Sequence, residues 1–381
     1  MNTRGLTELI VLNIGLSLGV ISPLLFTMLV IMALVTTFMT SPLLEWTYPK
    51  KLIRLDIVEP EEIIGEGINV TPTYRILVPI ANPSTQKELL QLAAAIAGTK
   101  LQPAVIHPLS LIQLEEDYLF QSTPIEADRL IKERRDRLEE LTKSLEPPEI
   151  RHLVHPIVRI ANDVARATAD IAKLDQADLI LMGWHHPAFS TNRLGGRVGQ
   201  ILSIARVDVA VLVSREDNSE FQNRRYETLL VPYSANTHDD LALEIAMRLL
   251  INGDTRRLSV LRVVQQGQVP SELSNEFSSL MEQLPASVRS RIELPIVEAT
   301  NPISGVVEAS GGVDLTIAGT SRAWGIERQT LGRYTDQLAV QCLSSLLITR
   351  RYSKVTSHLA SVVADTNEEA SIGRHESGVE A

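Results

Sequence analysis

Residues 177–215 read ADLILMGWHHPAFSTNRLGGRVGQILSIARVDVAVLVSR, and residues 313–350 read VDLTIAGTSRAWGIERQTLGRYTDQLAVQCLSSLLITR. Each runs from a short apolar stretch through a glycine, a polar loop and a Gly-Arg pair to a periodic segment and a second apolar stretch. The frame is the same in both: Gly183 to Gly196 and Gly319 to Gly332 each span thirteen positions, and Arg197 and Arg333 follow. Short apolar runs bounded by glycine read as buried strands, and the segment after Gly-Arg reads as a helix. Independent loops rarely share such spacing, so the chain contains an internal repeat.

The repeat extends upstream. YRILVPIANPSTQKELLQLAAAIAG from Tyr74 and YETLLVPYSANTHDDLALEIAMRLL from Tyr226 each read as strand, Val-Pro, polar turn and helix. In the second helix Leu241, Ile245 and Leu249 share one face. Between these ends the first half offers PAVIHPLSLI as a strand and IEADRLIKERRDRLEELTKSL as an amphipathic helix with Leu130, Leu138, Leu141 and Leu145 inward. IRHLVHPIV is a further strand, followed by a helix over Asn162–Lys173. RLSVLRVV and IELPIVEA are the matching strands of the second half. Alternating strands and helices predict an α/β fold: two tandem doubly wound parallel sheets, over 74–215 and 226–351, with right-handed crossovers. Residues 216–225 are a linker, 45–73 an acidic linker with glycine and proline, and 352–381 a tail whose composition predicts disorder.

A net charge of -10 argues against a nucleic-acid partner. Cys342 is the sole cysteine, so no internal disulfide forms, as expected in a reducing compartment, and it reads as a small buried hydrophobe. Residues 1–44 are different in kind. No charged residue lies between Glu8 and Glu45. One straight helix over that run would be about 54 Å long against a hydrocarbon core of about 30 Å. It must break, and Gly15, Ser17, Gly19, Ser22 and Pro23 mark the place. Two spans follow, Asn2–Leu18 and Pro23–Leu43, joined by Gly19-Val20-Ile21-Ser22: an all-α transmembrane hairpin. The run is too long for the apolar core of a signal peptide, about 7–15 residues. Arg4 at the start of the first span and Lys50, Lys51 and Arg54 after the second put both ends in the cytoplasm. Arg4 and Glu8 share a helix face; they either snorkel to the interface or face helices outside this hairpin.

MNTRGLTELIVLNIGLSLGVISPLLFTMLVIMALVTTFMTSPLL, above all Met1–Gly15 and Thr36-Thr37, resembles the last two transmembrane helices of monovalent cation/proton antiporters of the CPA2 type. The resemblance implies that Arg4, Glu8 and Asn13 belong to a transport bundle whose essential carboxylate lies on an earlier helix. Met1 is then expected to be an internal methionine of a longer transporter, and the hairpin alone not to transport. The implied partners are the lipid bilayer, the remaining transmembrane helices and a second copy of the chain. The implied location is the cell membrane, multi-pass, with the α/β domains in the cytoplasm.

The repeat resembles a tandem pair of universal stress protein domains. Nucleotide-binding members carry Gly-x2-Gly-x9-Gly-(Ser/Thr), whose glycines let backbone N–H groups approach phosphates at a helix start. Gly183 and Gly319 match the first glycine, and Gly196 and Gly332 the third. His186 and Arg322 replace the second; Arg197 and Arg333 replace the hydroxyl residue; Ala81 and Ser234 stand where the first strand usually ends in an acid. An ATP- or AMP-like nucleotide is therefore expected to bind weakly or not at all. Arg197 and Arg333 are either anion ligands or surface and interdomain arginines. His185-His186 lacks further ligands at metal spacing. Asp178 and Asp314 read as structural turns. No nucleophile–base pattern is present, so no enzyme activity is expected. Two functions remain open: the regulatory end of an antiporter, or a membrane-tethered sensor of a nucleotide or other anion.

Overall fold

Tyr74–Pro79 (β1) pairs in parallel with Ala104–Ile112 (β2) on one side and Leu179–Trp184 (β4) on the other. Ile157–Ile160 (β3) extends the sheet beyond β2, and Asp208–Val213 (β5) beyond β4. Thr228–Pro232 (β6), Arg257–Val264 (β7), Ile292–Glu293 (β8), Leu315–Gly319 (β10) and Ser345–Arg350 (β11) repeat this order, with Ile296–Glu298 (β9) continuing beside β7. These are features of a computed structural model. It describes residues 16, 18–19, 21–32, 74–81, 85–98, 100, 104–113, 124–184, 196–215, 226–234, 236–264, 275–320 and 333–353. The chain divides into two compact units, Met1–Glu66 and Gly67–Ala381.

The two halves of the second unit share one eleven-stranded sheet. β5 and β11 join antiparallel, from Val213 opposite Leu346 to Val209 opposite Arg350. All six residues of β5 are buried, as a central strand covered on both faces requires. Both apolar cores span the junction. On one face Leu92 and Ile96 of Gln86–Ala97 (α1) share a core with Leu243 and Met247 of Thr237–Asn252 (α5). On the other, Ile201 and Leu202 of Gly196–Ile204 (α4) share a core with Leu338 and Ala339 of Arg333–Gln341.

The arginines that end the two quoted stretches exchange places. Arg215 donates to Ala339 O (2.9 Å), at the end of the second half's helix. Arg350 donates to Leu202 O (2.6 Å), Ala205 O (2.8 Å) and Val207 O (3.1 Å), at the end of α4 in the first half. A cation at a helix C-terminus satisfies orphan carbonyls and complements the dipole.

Asp178 and Asp314 do the same work in each half. Asp178 Oδ2 accepts from Arg75 N (2.8 Å). Asp314 Oδ2 accepts from Glu227 N, Thr228 N and Thr228 Oγ1 at 2.8–2.9 Å. Each carboxylate clamps the first strand of its half to the turn before the fourth. Asp314→Ala is expected to lower stability by about 2 kcal/mol in urea unfolding; no loss would show that the clamp is dispensable.

Several expectations are corrected. Leu130 is exposed, while Leu138 and Leu145 are buried. IRHLVHPIV is not one strand: Pro148–Leu153 forms a 3-10 helix, Val154 makes a single bridge to Ile106, and pairing resumes at Ile157. Proline at the first turn favours that helical start. The next helix is Val164–Leu174, because Asp163 caps it by accepting from Ala165 N (2.9 Å) and Arg166 N (3.1 Å). IELPIVEA splits into β8 and β9 around Leu294-Pro295.

Within the first unit a turn at Leu18-Gly19 precedes a helix over 23–32. Gly19 has φ +68, and Ser22 Oγ accepts from Leu25 N (3.3 Å). Leu24, Leu25, Met28 and Ile31 are exposed on this helix. Among the described residues no helix is long and apolar enough to cross a membrane. The remainder of the expected hairpin, with Arg4, Glu8 and Asn13, lies outside the described residues, as do the linker over 45–73 and all but Tyr352 and Ser353 of the tail.

Candidate functional site

In a doubly wound sheet, ligands meet the carboxyl ends of the strands where the strand order reverses. The repeat creates two such crevices, and among the described residues one presents an arginine and the other an aspartate.

In the first half Gly183 lies in β4, and a Cβ there would meet Leu89 Cδ1 at 3.1 Å. Gly196 opens α4 with φ +65, a backbone conformation that suits glycine. Arg197 follows, exposed. Its Nη2 donates to Gln113 Oε1 (2.7 Å), and Gln113 Nε2 donates to Asn162 O (3.3 Å). Gln113 follows β2 and Asn162 follows β3, so a guanidinium is tied by a neutral amide across the strand ends. Ala81 is exposed here. The loop with His185 and His186 lies outside the described residues.

In the second half the N-terminus of α5 fills the corresponding space. A Cβ on Gly319 would lie 2.6 Å from Asp239 N and closer still to Asp239 Oδ1. The glycine matched to a phosphate motif is thus required by close helix–strand approach. Asp239 is 4% exposed. Its Oδ2 accepts from Ser234 N (2.8 Å), Ser234 Oγ (2.7 Å) and Asn236 Nδ2 (2.8 Å). Asn236 Oδ1 caps the helix by accepting from His238 N (2.8 Å) and Asp239 N (3.0 Å). Burial pushes the Asp239 carboxyl above the usual carboxylate range, and the donors from Ser234 and Asn236 oppose that push. SANTHDD carries the signal, an N-cap asparagine before two acids, while the family motif points only to Ser234 in this turn. Gly332, Arg322 and the side chain of Arg333 lie outside the described residues; the backbone of Arg333 starts its helix.

A cavity of about 210 Å³ opens beside Asp239, over Leu261, Ile303, Val306 and Thr320. A larger cleft, about 600 Å³, lies between the halves, lined by Gln91, Glu146, Arg151, Asn252 and Arg256 among others. The first crevice offers a guanidinium to an anion. Among the described residues the second offers a buried carboxyl group in place of a cation.

Comparison with known proteins agrees with this architecture. Residues 73–213 match the Universal stress protein family. The crystal structure of a universal stress protein from Archaeoglobus fulgidus DSM 4304 aligns with a TM-score of 0.50 at 17% identity, over 73% of this chain and 96% of that one, which speaks to the fold alone. The chain is also similar to cation/proton antiporters. It is 71% identical over 49 residues to the Na(+)/H(+) antiporter NhaS4 of Synechocystis, covering 13% of this chain and 12% of the relative. It is 25% identical over 303 residues to the Na(+)/H(+) antiporter NhaS5 of the same organism, covering 77% of this chain and 41% of the relative. The Cation/H(+) antiporter 20 of Arabidopsis thaliana is 34% identical over 116 residues, 30% of this chain and 14% of the relative. Residues 73–213 are thus similar to universal stress proteins, and the chain is similar to cation/proton antiporters while spanning less than half the length of these relatives.

Proposed function

We propose that this chain carries the cytoplasmic regulatory module of a membrane monovalent cation/proton antiporter. The observation that carries the reading is the extent of the NhaS5 match. A similarity over 77% of the chain extends beyond the first unit and reaches into both halves of the α/β sheet. This extent supports reading the module as part of an antiporter. The repeated strand order of the second half, and its shared core with the first, support reading 226–351 as a second universal stress protein domain. The outward Leu24, Met28 and Ile31 support a bilayer around the first unit. The module acts by binding, not by catalysis: a ligand with different affinity for two arrangements of the halves shifts transport between two states. Arg197 is the proposed anion contact of the first half. β11 occupies the free edge of β5 within one chain, so the proposed homodimer forms through the transport helices.

The test is a chimera in which residues 74–351 replace the matching segment of NhaS5. Exchange is read as dequenching of a pH dye in everted vesicles after adding Na⁺ or K⁺. Retained exchange, with Glu244→Gln in the module shifting the apparent cation affinity severalfold, is the expected result. Exchange that is the same with the module intact, altered or deleted overturns the regulatory reading.

A further inference from the structure

The crevice of the second half holds features that no phosphate-binding role uses. Asp239 is buried and lines the cavity of about 210 Å³, and no lysine, arginine or histidine lines that cavity among the described residues. All three donors to Asp239 reach Oδ2; among the described residues none reaches Oδ1. Thr320, fully buried and lining the same cavity, has an Oγ1 with no hydrogen-bond partner among the described residues. Buried hydroxyls are normally paired, so an orphan beside a cavity marks a place for a ligand atom. Leu261, Val263 and Val306 add apolar lining. The volume falls below that of pockets for drug-sized ligands, about 300–1,000 Å³, and suits a single ring.

We infer that this crevice binds a small organic molecule with an apolar body and a positively charged, hydrogen-bond-donating head, and excludes phosphates. The head meets Asp239 Oδ1 and Thr320 Oγ1; the body covers Leu261 and Val306. Burial penalises the Asp239 carboxylate, and a cationic head beside it offsets that penalty. The inference stands apart from the antiporter reading, since it rests on the cavity alone.

The test is calorimetric titration of the full chain in mild detergent with benzamidine, its anionic counterpart benzoate, and ATP. Saturable benzamidine binding is expected, with Kd on the order of 1 mM or tighter, as a ligand of this size permits. Asp239→Asn should weaken it at least tenfold and Thr320→Val severalfold. Thr320→Val removes an unpaired hydroxyl and so keeps the test valid if Asp239→Asn does not fold. Arg197→Ala, in the other crevice, should leave benzamidine binding unchanged. The inference is overturned if no saturable benzamidine heat appears up to about 10 mM. It is equally overturned if benzoate or ATP binds as tightly and Thr320→Val weakens that binding, or if Thr320→Val leaves benzamidine binding unchanged.

Discussion

Arg351→Met is expected to destabilise the α/β unit by about 3–5 kcal/mol at pH 7, because it strands two buried carboxylates. Arg351 follows β11 and is 6% exposed. Its Nη2 pairs with Glu244 of α5, and its Nε lies 3.4 Å from Asp208 at the start of β5 in the other half. Arg248 stands one turn along α5, 3.9 Å from Glu244, and stacks over the Tyr74 ring at 3.7 Å. Asp208 also accepts from Tyr352 N (2.7 Å). Two acids and two arginines thus lie in the seam between the halves, where lost pairing is not replaced by water. A loss below about 1 kcal/mol in urea unfolding would show that the seam is hydrated and the pairing superficial.

The same cluster sets a pH dependence. Burial raises the Asp208 carboxyl to about 6, against the lowering effects of the Tyr352 amide and Arg351. The unfolded value is about 3.9. The folded state therefore binds a proton that the unfolded state does not, so this group's penalty is relieved as pH falls from 7 through 6 toward 4, by up to about 3 kcal/mol. His238 and His155, both pushed down by burial, act in the opposite sense: folded stability is lost as pH falls through the ordinary histidine range. The Asp208 contribution is read as the difference between the native chain and Asp208→Asn in urea midpoints at pH 7.5 and 5.5. Equal slopes for the two would remove Asp208 from the account.

The repeat was legible because strand burial and glycine spacing are local. β7 falls on RLSVLRVV residue for residue, and the break at Gly19–Pro23 lies where the helix over 23–32 begins. The seam was not legible. Nothing in RLEELTKSL or LALEIAMRLL tells which charges are solvated: Glu139 and Glu140 are exposed, Glu244 and Arg248 are buried, and period alone does not separate them. The difference is a tertiary one, since only α5 has the other half packed on its polar positions. Arg215 and Arg350 were visible as repeated ends of the quoted stretches, but their exchange across the junction depends on β5 meeting β11 antiparallel. At the site, the glycine matched to the motif, Gly319, packs against the N-terminus of α5, with Asp239 where a Cβ would lie, and that contact has no signature in the glycine spacing.

Gly98→Ala is expected to cost about 3–4 kcal/mol, from two separable causes. Gly98 ends α1 with φ +55 and ψ −171, a region open essentially to glycine alone, and its amide donates to Ala94 O at 2.9 Å. Forcing alanine there costs about 1–3 kcal/mol. The second cause is steric. A Cβ on Gly98 would overlap the side-chain amide of Asn252, at the end of α5 in the other half. Asn252 Nδ2 donates to Ala95 O (3.3 Å) and Ile96 O (3.0 Å), so one helix end caps the other across the seam. Displacing it forfeits about 1 kcal/mol per bond. A double-mutant cycle separates the two. Asn252→Ala alone should cost about 1–2 kcal/mol, and Gly98→Ala combined with Asn252→Ala should cost less than the sum by at least about 1 kcal/mol, because the clash disappears while the backbone strain stays. Additive losses would mean that the halves part at this corner without strain. The 600 Å³ cleft beside Gly98 and Asn252 would then be a place where the two halves already move apart.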